Sequence, residues 1–185
     1  MTWEETKRAI DADYARLAKN KGGKLRYLFT NHSFKITFWF RIGSYLKEKG
    51  GVCILLRFPV ALIYRHYEYK FGIHMPFGTL VGGGLHFPHF GAVNVNNGAY
   101  IGRNCTIYQG VTIGSMRGQG TPVIGDNCVL FSGAKVIGRV TLGDYVAVGA
   151  GAVVVNNVPN GCVVGGVPAK VLSDKGKETV ARYME

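Results

Sequence analysis

The chain has 185 residues, 27 of them glycine, and a formal charge of +11 at pH 7. That length holds one or two domains with an ample core, and the basic balance points to an anionic cofactor, a nucleic acid or an anionic membrane. Met1 is followed by the acidic, polar TWEETKRAIDADYARL, so no secretory signal is read and a cytoplasmic location is expected. The most apolar run, Val52 to Tyr64, is broken by Arg57, and no transmembrane helix is expected.

Residues 1–70 read as an α-helical N-terminal region. Thr2 to Lys19 carries strong helix formers and mixed charge, Tyr27 to Lys47 is aromatic and amphipathic, and Val52 to Tyr69 is a third helix. Gly22-Gly23 and Gly50-Gly51 punctuate them. The aromatics Phe29, Phe34, Phe38, Trp39 and Phe40 have two readings: packing among helices, or a peripheral membrane face. Most of the charge lies here, since residues 1–72 hold fourteen Lys or Arg against six Asp or Glu.

From about residue 71 to residue 172 the chain counts in sixes. An aliphatic residue recurs at Val95, Ile101, Ile107 and Ile113, then at Ile124, Leu130, Val136, Leu142, Val148 and Val154. Four residues after it comes a small or β-branched one, such as Cys105, Val111, Cys128 or Ala134. A sustained six-residue period means a parallel β-helix in which three hexapeptides close one coil. No coil buries its apolar faces alone, so coils stack, about five of them here. Every third hexapeptide then falls in one inward ladder. The expected ladders are Ile101, Ile124, Leu142; His89, Ile107, Leu130, Val148; and Val95, Ile113, Val136, Val154. His89 is the one exception to their aliphatic character.

The count breaks between Ile113 and Ile124, eleven residues apart, where Ser115 to Thr121 reads SMRGQGT and must bulge out as a loop. The four cysteines match no zinc or redox spacing, and Cys105 and Cys128 should stack as small core residues of successive coils. The repeat lacks a clustered Lys/Arg stripe, so nucleic-acid binding is not expected. Asp174 to Met184 closes the chain as a short helix, within a tail of residues 173–185.

The repeat resembles the hexapeptide acyltransferases, and within them the serine acetyltransferase-like branch. The resemblance rests on GLHFPHFGAVNVNNGAYIGRNCTIYQGVTIG, Gly84 to Gly114, on the hexapeptides after the glycine loop, and on the ending GGVPAKV. It implies a mainly β fold: a left-handed parallel β-helix over 71–172, with the α-helical N-terminal region and a short C-terminal helix. The left hand comes from the family alone, since general rules favour right-handed crossovers. It also implies a homotrimer and acetyl-CoA as co-substrate, with no metal.

In that family a His opening a hexapeptide is the general base, and His89 holds that position. The chemistry suits it, because an imidazole can take the proton of a poorly nucleophilic alcohol as it attacks a thioester. Ser132 and Ala150 match turns that lie along the pantetheine arm, Gly114 opens the loop near the thioester, and Lys170 matches the residue that meets the coenzyme's phosphates. Against the amino-acid-acetylating members, Pro88 replaces the Asp before the catalytic His, and Gly72 lies near the place of the Asp that orients it. No Asp or Glu occurs from Tyr69 to Gly125, although Asp11, Asp13 or Glu68 could fold over the site. The run FWFRIGSYL looks more like members of capsule or exopolysaccharide assembly. The expected activity is therefore acetyl-CoA-dependent O-acetylation of a hydroxyl acceptor, with a saccharide favoured and L-serine the alternative. An alternative of another class is a γ-carbonic-anhydrase-like hydratase, which would recruit His74, His86 and His89 to a metal.

Overall fold

The computed structural model describes residues 1–17, 23–50, 53–117 and 120–184. Gly22, Gly51, Gly118 and Gln119 lie outside these residues, as do Lys19 and Val52 of the expected first and third helices. Helix α1, Trp3–Ala15, starts at a reciprocal cap: the Thr2 hydroxyl accepts from the Glu5 amide, and the Glu5 carboxylate accepts from the Thr2 amide. The expected Tyr27–Lys47 helix is two helices, α2 Lys24–Thr30 and α3 His32–Lys49. Asn31 divides them because its backbone is extended while its side chain accepts from the Phe34 amide, capping α3. Helix α4 is Cys53–Phe71 and packs on α3. Phe34 and Phe40 are buried, Phe38 and Trp39 half-buried, and Phe29 is 72% exposed, so most of the aromatic run serves packing.

From Ile73 the chain winds into a three-faced solenoid of paired parallel strands. The first face stacks Ile73–His74, Val93–Val95, Thr112–Gly114, Lys135–Ile137 and Val153–Val154. The second stacks Leu80–Val81, Tyr100–Ile101, Val123–Ile124 and Thr141–Leu142. The third stacks Thr106–Ile107, Val129–Leu130, Ala147–Val148 and Val163–Gly165, and Lys170–Ser173 closes it antiparallel. The result is about four turns, fewer than the five expected, because only the first face carries five parallel strands. Helix α5, Gly176–Met184, covers the outside of the third face through Val180.

Two of the expected ladders run in register, Val95–Ile113–Val136–Val154 and Ile101–Ile124–Leu142. The third does not begin at His89. His86 bridges Thr106, which sets Phe87, fully buried, over Ile107. The reason is length. Val81 pairs with Ile101, a coil of twenty residues, whereas Ile124 pairs with Leu142 across eighteen. The two additional residues fall between Phe87 and Val95 and throw His89 outward at a corner.

Corner chemistry follows position. Where the second face turns into the third, Asn104 and Asn127 both hold φ of 56°, which Asn tolerates better than bulkier residues. Gly125 is required by close approach instead, for a Cβ there would lie 2.7 Å from the Gly143 carbonyl carbon of the next coil. Cys105 and Cys128 are free, buried thiols of adjacent coils that donate to the Gly125 and Gly143 carbonyls, at 3.3 and 3.2 Å. The neighbouring Cys128 and burial push the Cys105 thiol well above its usual range, so it is an inert core residue.

Candidate active site

The 88–91 bulge is held from one side by the start of α3. Ser33 Oγ accepts from the Phe87 amide at 2.9 Å, and His32 Nε2 lies 3.0 Å from the Phe87 carbonyl. That carbonyl can only accept, so Nε2 of His32 carries the proton. The His32 ring packs edge-on against Phe90, with centroids 5.3 Å apart. His89 is left exposed at the tip, with its ring centroid 6.0 Å from that of Tyr108. Tyr108 in turn stacks on Phe131 at 5.5 Å, and Tyr183 of α5 meets Phe131 edge-on at 4.7 Å. An aromatic shelf therefore runs from the histidine to the C-terminal helix.

Two further histidines surround this point. His86 occupies the outward place that Thr106, Val129, Ala147 and Val163 fill on lower coils. Arg16 spans the same face, donating to Thr106 Oγ1 at 2.8 Å and to the Asn104 carbonyl at 2.9 Å. Burial first, then the charge of Arg16 and the nearby His32 and His89, pulls His86 down to about 4, so it is neutral at physiological pH. His32 is lowered chiefly by burial, against the Phe87 carbonyl, which favours its charged form. Three histidines thus converge here, and the exposed one is His89.

The acids left available by the sequence have distinct fates. Asp11 pairs with Lys24. Asp13 is buried against Arg41, at 3.0 and 3.1 Å, and also accepts from the Gly84 and Leu85 amides. Of these three, Glu68 lines a cavity. It lies 3.2 Å from His74 Nδ1 in a cavity of about 590 Å³ that includes Gly72, Ala92, Asn94 and Thr112. Burial raises its carboxyl, against the Met75 amide and His74, which favour the anion. His74 is therefore on the first face with Glu68, and among the described residues no three His, Cys, Asp or Glu side chains are placed so that they could hold a metal ion together. A second cavity, of about 610 Å³, lies beside Arg41, Lys47, Thr79 and Tyr100, with none of the histidines in its wall.

The residues matched to coenzyme contacts are spread along the solenoid. Ser132 and Ala150 share the bulge's corner, in a column tied by Gly110 N to Gly91 O, Gly133 N to Gln109 O and Gly151 N to Ser132 O, each 2.9 Å. Lys170 is exposed and opens the closing antiparallel strand opposite Gly165. It is five strand spacings below His86, about 24 Å along the axis at ~4.8 Å per step. Gly114 stands apart, at the far end of the first face where the Ser115–Thr121 loop departs. Gln109, in the same corner column, has a buried side-chain oxygen with no hydrogen bond among the described residues. Sequence reading missed Gln109, His32, Arg16 and Tyr108. His86 carried a signal, as an aromatic, titratable member of an outward column otherwise of small or β-branched residues.

Known proteins resemble this chain in sequence and fold. The bacterial transferase hexapeptide (six repeats) family matches residues 121–156. The serine acetyltransferase of Synechococcus elongatus is 37% identical over 108 residues, covering 57% of this chain and 44% of that protein. The chain spans about half the length of the curated relatives it matches. Soybean serine acetyltransferase complexed with serine superposes with a TM-score of 0.77 at 26% identity, over 91% of this chain and 70% of that one. A serine acetyltransferase in complex with CoA reaches 0.77 at 22% identity, over 92% and 71%, a likeness of fold.

Proposed function

Since this is a hexapeptide-repeat chain whose relatives in sequence and fold are serine acetyltransferases, we propose that it is an acetyl-CoA-dependent O-acetyltransferase with His89 as general base. The observation that carries this reading is the corner column. An exposed imidazole heads it, the amides of the Ser132 and Ala150 turns continue it, and Lys170 lies near its foot. An extended coenzyme A would run down this edge with its phosphates toward Lys170 and its thioester toward the bulge. The His89 imidazole takes the hydroxyl proton as the acceptor oxygen bonds to the thioester carbonyl carbon. Backbone N–H groups hold the oxyanion, and the carbon–sulfur bond then breaks with the proton passing to the departing thiol.

The acceptor favoured here is L-serine. The relatives bear that name, the soybean structure is a complex with serine, and Glu68 offers the carboxylate that an ammonium group needs. Its cavity reaches Ala92, at the end of the bulge that carries His89. This replaces the saccharide expected from the lack of acids between Tyr69 and Gly125, because Glu68 folds in from α4. An acceptor screen following free-thiol release from acetyl-CoA tests it, with L-serine beside nucleotide sugars and oligosaccharides. Turnover is expected with L-serine, and Glu68→Gln should raise KM for L-serine about ten-fold while sparing KM for acetyl-CoA. Turnover with saccharides alone would overturn the L-serine reading.

We propose also that the site is completed in a homotrimer. His89 is open on one side in the single chain. The second face presents an outward apolar strip of registered neighbours, Leu80, Tyr100 and Val123, that stays exposed among the described residues.

A further inference from the structure

Residues 55–59, near the start of α4, are exposed among the described residues. Leu55, Leu56, Arg57, Phe58 and Pro59 are all exposed in succession, Leu55 by 77% and Phe58 by 69%, and Leu62 follows one turn later. A helix normally buries one stripe, so exposure all round over five residues marks a segment that projects from the body. Leu55, Phe58 and Leu62 share one side at spacings of three and four, and Arg65 continues that row.

The surroundings are cationic. Phe40 against Tyr64, Lys35 over Tyr67 and His32 against Phe71 place α3 and α4 antiparallel. The projecting end of α4 is therefore level with Lys47 and Lys49 at the end of α3. The helical region as a whole holds eight more Lys and Arg than Asp and Glu. No helix among the described residues is long and apolar enough to cross a bilayer.

We propose that the start of α4 is a membrane-docking element that lays Leu55, Phe58 and Leu62 into the surface of an anionic bilayer while Arg57 and Arg65 meet the lipid phosphates. Charge selects this occupant over a second copy of the same face. Pairing two such faces would oppose cation to cation, whereas acidic headgroups neutralise them and the acyl boundary takes the leucines and phenylalanine. The element lies on the membrane and does not span it. This differs from the aromatic run of α3, whose Phe34 and Phe40 are core residues. The assignment does not rest on the acetyl transfer reading, although Arg65 also lines the Glu68 cavity.

The test is flotation of the full chain with vesicles of phosphatidylcholine, alone or mixed with phosphatidylglycerol. Binding is expected to the mixed vesicles only, and to weaken as salt rises. Replacing Leu55 and Phe58 together with Glu should abolish it, with helical content by circular dichroism unchanged because both side chains are exposed. The pair Arg57→Gln and Arg65→Gln should lower partitioning about 25-fold, some five-fold per cation removed. The proposal is overturned if the wild-type chain stays with the unbound fraction on anionic vesicles. It is equally overturned if the Leu55/Phe58 double variant halves the mass seen by light scattering, for the patch is then an interface between copies.

Discussion

His89 is exposed, and its ring is tilted against Tyr108 with centroids 6.0 Å apart, so its replacement removes the proposed base and little packing. His89→Ala should lower turnover by roughly 10²–10⁴-fold while leaving the thermal midpoint where it was. Loss of the fold in that variant would make the residue structural. His86 behaves in the opposite way. Its pKa falls from 6.5 in the unfolded chain to about 4 in the fold, so the unfolded state binds the proton more readily between those values. The fold keeps its full stability above pH 6.5 and loses it as pH drops toward 4, on the order of 3 kcal/mol for this group. His86→Val, the residue found at positions 129 and 163 of the same column, should flatten denaturant midpoints measured across that window.

At the scale of elements, one buried ion pair joins α1, α3 and the first coil. Arg41 binds the Asp13 carboxylate through two nitrogens and also donates to the Val81 and Gly82 carbonyls, while Asp13 accepts from the amides of Gly84 and Leu85. This clamp sets the approach of the strand that leads to His86 and the bulge. Asp13→Asn leaves the guanidinium buried without its counter-charge, and unfolding free energy should fall by about 3–5 kcal/mol in urea titration. Substituting both partners with apolar residues of like volume should recover part of that loss.

For the whole molecule, Leu80, Tyr100 and Val123 of the second face stay exposed among the described residues, while α5 shelters the third face. The strip Leu80, Tyr100 and Val123 is too apolar to remain wet at no cost, and it lies on a flat sheet suited to a neighbour. Light scattering at micromolar concentration should return a trimer mass. Leu80→Glu with Tyr100→Glu should shift that mass to the monomer and reduce turnover along with it. A monomeric wild-type chain that turned over acetyl-CoA would mean that the site is complete within one copy.

The six-residue period by itself determined a parallel solenoid, the identity of most inward residues and the place of the one large loop. It could do so because each coil repeats the same local requirement: an aliphatic residue inside, a small one at the turn, and Gly or Asn where φ is positive. The cysteines stacked as expected for the same reason. What periodicity could not supply was an interruption of its own count in the first coil, where no earlier coil provides a reference. Counting backward in sixes lands His89 inside, and only the strand register of His86 with Thr106 shows that Phe87 fills that place. The tertiary structure likewise decided that His32 and Ser33 brace the bulge, that Glu68 reaches its flank and that Asp13 is spent on Arg41. Those contacts join residues tens of positions apart, through helix packing that has no period shared with the coils.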